Sequence, residues 1–192
     1  MSHSDGPFLT GRLLIAMPGI GDPRFERAVI LLCAHNREHA MGLAVNRPVE
    51  GLSVGSVLKR LKVESPIELP EDLVLMGGPV ERDRGFVVHT DDYECPQSSV
   101  PVTTGISLTA SAEVLDALAG GHYRRPRRSL LALGYAGWGA GQLEREILEN
   151  TWLTCEADEA LVFGDDHARK WSRALAKIGV GAAQLSRFTG RA

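Results

Sequence analysis

Cysteine is scarce and unpaired in this 192-residue chain. Cys33, Cys95 and Cys155 form no CxxC motif and no even set, which excludes a disulfide framework and implies a reducing compartment. No apolar run approaches the roughly 20 residues that span a bilayer. The opening Met1-Ser2-His3-Ser4-Asp5-Gly6-Pro7 lacks the basic start and apolar stretch of a signal peptide. Together these absences indicate a cytoplasmic protein without a membrane role. A formal charge of −3 gives no global pull toward nucleic acid or anionic lipid. Repeats, low-complexity segments and linkers are missing too, so the chain reads as one domain over residues 1–192, with 1–8 flexible and 187–192 a tail.

What is present centres on residues 129–153, SLLALGYAGWGAGQLEREILENTWL. A short apolar run at 130–133 has the length of a buried strand. Four glycines then fall within eight positions, Gly134, Gly137, Gly139 and Gly141, around Tyr135 and Trp138. Residues 142–150 follow as a helix with Leu143, Ile147 and Leu148 on one face, and Glu144 and Glu146 in its first turns suit the helix dipole. The segment therefore reads as strand, glycine hinge, helix, with positive φ or close approach needed at several glycines. The spacing G-x-x-G-x-G-x-G matches neither G-x-G-x-x-G nor G-x-x-x-x-G-K-[ST], so a corner built around Trp138 is expected rather than a phosphate loop.

The remainder divides into short elements. Apolar strands are expected over 11–16, 28–35 and 40–46, the last two joined as an antiparallel hairpin by the polar turn 36–39. Ser53 caps a helix carrying Val54, Val57, Leu58 and Leu61. Strands follow over 73–76 and 86–90, with a turn at Arg82-Asp83-Arg84-Gly85 between them. Residues 91–99 form a loop, 100–108 are extended with a bend at Gly105, and 111–119 are an amphipathic helix ending at Gly120-Gly121. Strands are expected at 152–155 and 160–163. Asp165 or Asp166 starts a last helix with Trp171, Leu175 and Ile178 inward and Arg169, Lys170, Arg173 and Lys177 in water. Sequential strands with short polar turns favour an α+β fold with a largely antiparallel sheet and about four flanking helices.

Four stretches, LLIAMPGIGDPRFERAVILLCAHN (13–36), AMGLAVNRP (40–48), GGPVERDRGFVVH (77–89) and GYAGWGAGQLE (134–144), resemble the YqgE/AlgH family of bacterial proteins in order and spacing. The resemblance covers nearly the whole chain. It implies an α+β single domain with a bifurcated, barrel-like sheet, and the family name, which refers to alginate production, implies transcriptional regulation.

Each candidate for chemistry has a plainer counterpart. Gly51-Leu52-Ser53-Val54-Gly55 matches G-x-S-x-G, but four residues separate it from the preceding strand, and helix capping accounts for Ser53. Cys33 and His35 share a strand face, yet no second pair at metal-ligand spacing exists, so Cys33 reads as a buried structural thiol. Cys95, in a polar loop, is the more plausible reactive thiol. His89-Thr90-Asp91-Asp92 carries acid–base groups but also reads as a solvated strand end. No metal and no cofactor is implied.

The polar residues left over sit in the family-matching motifs: Asn46, Arg47, Gly77, Gly78, Arg84, His89, Gly137, Trp138, Gly139 and Gln142. Meeting at one rim of the sheet, they would form a concave pocket for an anionic ligand or an acidic protein surface. Alternatively, Arg47 and Arg84 pair with nearby carboxylates and lock loops. The leading expectation is a non-enzymatic regulatory or binding module whose partner is a protein or a small anion. A hydrolase or nucleotide-handling enzyme at an Arg47/Arg84/Trp138 rim is the first alternative. A nucleic-acid binder through Arg124, Arg125, Arg127 and Arg128 is the second.

Overall fold

The structure, a computed structural model, describes residues 8–185. Residues 1–7, in the segment expected to be flexible, and 186–192, which hold the expected tail, lie outside the described residues.

The organising strand is β9 (Ser129–Gly139), 11 residues that run straight through the glycine-rich motif. Along its first half it pairs antiparallel with β6 (Val80–Thr90) on one edge and parallel with β5 (Leu73–Met76) on the other. Past Gly134, β3 (His39–Ala44) replaces β5 on that second edge, with Met41 opposite Gly137. The sheet therefore forks at Gly134, which takes φ +71. Gly77 wedges the fork open: its N–H donates to the Leu133 carbonyl and its own carbonyl accepts from Ala44 N–H, both at 2.8 Å.

Around this spine the order is β10-β1-β2-β3-β9-β6-β8-β7, where β1 is Arg12–Ala16, β2 Val29–His35, β7 Ser99–Thr103, β8 Ile106–Thr109 and β10 Trp152–Glu156. β4 (Pro48–Ser53) joins through β5, and every pairing except β5–β9 is antiparallel. The sheet curls until β7 meets the entry to β1. A Cβ on Gly11 would stand 2.7 Å from the Val102 carbonyl oxygen, so glycine is needed there.

β1 and β2 are apolar at successive positions because both their faces are covered. Leu13, Leu31 and Leu43 point into the curl with Phe86, Ile106 and Trp171. Leu14, Ile30 and Leu32 point outward, under Trp138, Leu143 and Trp152. A third cluster joins α1 (Val54–Arg60) and α2 (Ala112–Leu118) to Val87 and Leu131. The result is a single α+β domain with a largely antiparallel, bifurcated half-barrel.

Six helices flank it among the described residues rather than four. α3 (Gln142–Leu148) and α5 (Lys170–Lys177) complete the expected set, while α4 (Glu159–Val162) and α6 (Ala182–Leu185) are single turns. α4 occupies the stretch expected as a strand over 160–163. Asp158 caps it by accepting from Leu161 N–H at 2.8 Å, a local bond that a short apolar run alone does not reveal. The polar run 82–85 is part of β6 rather than a turn; the ladder slips between Val80 and Gly85, and Glu81 takes φ +44. Only Gly134 and Gly141 of the four motif glycines have positive φ. Lys170, expected in water, is fully buried.

Candidate functional site

The ten residues expected at one rim are split among separate environments. Asn46 and the two fork glycines are tied into the backbone. Asn46 Oδ1 accepts from Val29 N–H at 2.9 Å and its Nδ2 donates to the Arg27 carbonyl at 2.8 Å, stitching the exit of β3 to β2. A Cβ on Gly77 would lie 2.3 Å from the Gly134 oxygen, and one on Gly78 2.0 Å from the Tyr135 carbonyl carbon.

A second group surrounds Trp138. Its indole is 5% exposed and meets Trp152 edge-on at 5.9 Å. Both indole N–H groups donate to Glu146 Oε2 at 2.8 Å, and Gln142 Nε2 donates to Oε1 of the same carboxylate at 2.9 Å. Gln142 also accepts from Gly139 N–H at 3.1 Å. Glu146 is thus the hub of the corner, and Glu144 reaches across to His35 Nε2 at 3.0 Å. Since Leu9 N–H donates to His35 Nδ1, the ring proton lies on Nε2 and points at Glu144.

His89 stands apart from both. It is 0% exposed, with Nδ1 donating to the Thr90 carbonyl and Nε2 accepting from Thr109 Oγ1, each at 2.8 Å. Burial lowers its pKa, which keeps the imidazole neutral. It is a satisfied core histidine and reaches no rim residue.

Two openings receive what is left. A groove of about 690 Å³ runs over the β3–β9–β6 face, lined by Met41, Val80, Phe86, Leu108 and Tyr135, with Arg84, Gly137 and Trp138 at its edge. The Arg84 guanidinium lies 5.1 Å over the Phe86 ring and 3.4 Å from the exposed Glu81 carboxylate. Arg47 opens elsewhere, into a cavity of about 290 Å³ shared with Gly78, Arg24 and Arg82. The rim is divided because the Gly77–Gly78 wedge stands between β3 and β9. Arg24 and Arg82 were not singled out in the sequence, since nothing local distinguishes them from other surface arginines.

Two of the four arginines of the basic loop are engaged. Arg127 makes two hydrogen bonds at 2.9 Å to Glu159, and Arg128 donates to the Phe163 carbonyl at 2.6 Å, its guanidinium 6.0 Å over that ring. Arg124 and Arg125 are exposed and make no such contacts among the described residues. Arg125 borders a mixed-charge cleft of about 660 Å³ that it shares with Asp72, Asp165 and His167.

Of the other candidates, Ser53 caps α1 by accepting from Ser56 N–H at 3.1 Å. Cys33 is buried and its thiol is pushed up to about 12 by that burial. Cys95 is buried as well, contrary to its loop-like setting, because the 91–99 loop folds Tyr93 and Cys95 back onto α2. No helix among the described residues is long and apolar enough to cross a membrane. No group of three or more His, Cys, Asp or Glu side chains with metal-holding geometry occurs among them.

A family model described as AlgH-like (DUF179) matches residues 13–183. The chain belongs to the AlgH-like family. A Caulobacter vibrioides relative, a "UPF0301 protein", is 63% identical over 192 residues, covering 100% of this chain and 98% of its own length. An Afipia carboxidovorans relative of similar name is 48% identical, covering 100% and 93%. The solution structure of the AlgH protein from Pseudomonas aeruginosa superposes with a TM-score of 0.76 at 41% identity, covering 100% of this chain and 98% of that one. A Corynebacterium diphtheriae protein shares the fold at TM-score 0.68 and 19% identity, covering 91% and 88%. The forked half-barrel of this AlgH-like protein is therefore the architecture of its relatives.

Proposed function

We propose that the protein is a cytoplasmic regulatory binding module whose partner is another protein, docked in the groove on the β3–β9–β6 face. The observation that carries this reading is the lining. Met41, Phe86, Leu108 and Tyr135 form the apolar floor of this groove of about 690 Å³, and Arg84 is the one arginine, lysine or carboxylate side chain in its lining, 3.4 Å from the exposed Glu81 carboxylate. An open apolar trough with a single cation fits a segment presenting an apolar side chain beside a carboxylate. The dispersal of Arg47, Arg84, Trp138 and His89 among separate environments speaks for a module over a catalytic centre, which needs nucleophile, base and oxyanion donors in mutual reach.

Site-specific photo-crosslinking in cells tests it. A crosslinker at Val80, on the groove lip, should capture one protein that a crosslinker at Leu148, 83% exposed on α3, does not. Adding Arg84→Glu should abolish the adduct. Equal capture at both positions, or capture indifferent to Arg84→Glu, would overturn the assignment.

A further inference from the structure

We propose that the cavity between the Pro23–Phe25 turn, the start of β4 and β6 is a binding site for a small organic phosphate monoester. Three guanidinium side chains from three separate parts of the chain, Arg24, Arg47 and Arg82, line it, and no carboxylate does. Arg47 spends its donors on two neutral acceptors, the Glu26 carbonyl at 2.9 Å and the Pro23 carbonyl at 3.3 Å. These bonds hold the guanidinium in place without neutralising it. Arg82 forms no ion pair among the described residues.

Asp22 lies outside the lining, and Arg24 engages it through Nε and Nη2 at 2.7–3.1 Å. Asp22 is held below the usual carboxylate range first by those Arg24 bonds and, more weakly, by the field of Arg47. Asp22 thus pairs with Arg24, while Arg47 and Arg82 form no ion pair among the described residues, so the lining of the opening carries an excess of positive charge. Like charges held together repel, and a dianion relieves that repulsion while matching the planar donor fork of arginine.

The remaining walls choose the ligand class. Phe25, Ala44, Met76 and Pro79 are apolar, so the anion's carbon skeleton has a surface to lie on, which inorganic phosphate cannot use. A volume of about 290 Å³ lies at the small end of ligand pockets, which favours a compact ester. The site shares no lining residue with the groove, so the inference stands independently of the docking reading.

Phenyl phosphate is the probe, titrated into the full chain by calorimetry with the arginine Nε–Hε signals followed by NMR. Wild type should bind one equivalent saturably, more tightly than inorganic phosphate, and lose affinity as salt rises. Arg82→Gln should weaken binding about tenfold or more, and Arg82→Glu should abolish it. The Arg82 side chain makes no hydrogen bond or ion pair among the described residues, so unchanged thermal unfolding of both variants certifies the fold; Arg47→Gln, which also unties the 23–26 turn, is the secondary variant. Three results would each overturn the assignment: no saturable binding, equal affinity in wild type and Arg82→Glu, or inorganic phosphate binding as tightly as phenyl phosphate.

Discussion

Gly78 lies flat against the Tyr135 peptide, so close that a Cβ would stand 2.0 Å from the Tyr135 carbonyl carbon and 2.3 Å from the Ala136 nitrogen. Both neighbours are backbone and neither can yield. Gly78→Ala should therefore cost more than about 4 kcal/mol and leave little folded protein. Gly137, in the most glycine-dense stretch of the chain, has an ordinary φ and a nearest neighbour of 3.4 Å, the edge of the Tyr135 ring. Gly137→Ala should cost less than about 1 kcal/mol. Urea denaturation of the two variants side by side checks the contrast, and similar losses in both would refute the fork geometry.

Glu146 satisfies two indole N–H groups at once. Glu146→Ala leaves both donors beside apolar neighbours without a partner, and should cost about 2–4 kcal/mol. Tryptophan fluorescence during unfolding follows the loss, because two of the three tryptophans are the rings whose surroundings change. Glu144→Ala, which removes only a contact of a half-exposed carboxylate with His35, should cost less.

Lys170 lies wholly inside the protein, its ammonium donating to the Val45 carbonyl at 2.8 Å and the Val162 carbonyl at 2.6 Å, with no carboxylate in ion-pairing reach among the described residues. Burial lowers its pKa to about 7, and the charges of Arg128 and Arg173 push the same way against Asp165. The folded state then binds fewer protons than the unfolded state between about pH 7 and the ordinary lysine value of 10.5. Stability accordingly rises with pH across that window and is lower, without further change from this group, below it. Cys33, raised by burial to about 12 from 9.0, acts in the opposite sense once the unfolded thiol ionises, so the slope is read between pH 7 and 9. Thermal melts over that range should climb for wild type and flatten for Lys170→Met; a flat wild-type profile would show that the buried amine does not titrate there.

Arg127 and Arg128 tie the basic loop to Glu159 and Phe163. Arg128→Ala removes the bond to the Phe163 carbonyl and the stacked guanidinium, and should cost about 1–3 kcal/mol. The Arg124→Gln, Arg125→Gln double variant should stay within about 0.5 kcal/mol of wild type in denaturant titrations. If the same double variant abolished a salt-sensitive gel shift, the two projecting arginines would be a nucleic-acid contact after all.

Local rules made several elements legible. Ser53 and the apolar positions of α1 lie within one or two helical turns of each other, and the observed cap is the one those neighbours dictate. The apolar runs at 11–16 and 28–35 announced strands covered on both faces, and both cores exist. A glycine corner around Trp138 is what the sequence suggests, yet β9 runs straight through Gly137 and Gly139, whose surroundings are open, and the indole is held instead by Glu146 and Trp152 once α3 folds back over β9. The short run at 160–163 deceived because four apolar residues carry no period, and the cap at Asp158 decided for helix.

Order along the chain fixed the α+β class, the antiparallel hairpins and most helix starts, because those depend on side-chain period and on bonds spanning a few residues. Tertiary structure alone decided that Arg47 shares a cavity with Arg82 and not with Arg84. It also decided that Lys170 is covered by a carbonyl 125 positions away. Both outcomes follow from where the Gly77–Gly78 wedge and the C-terminal helices come to rest, and no stretch of neighbouring residues encodes an approach between parts of the chain so far apart.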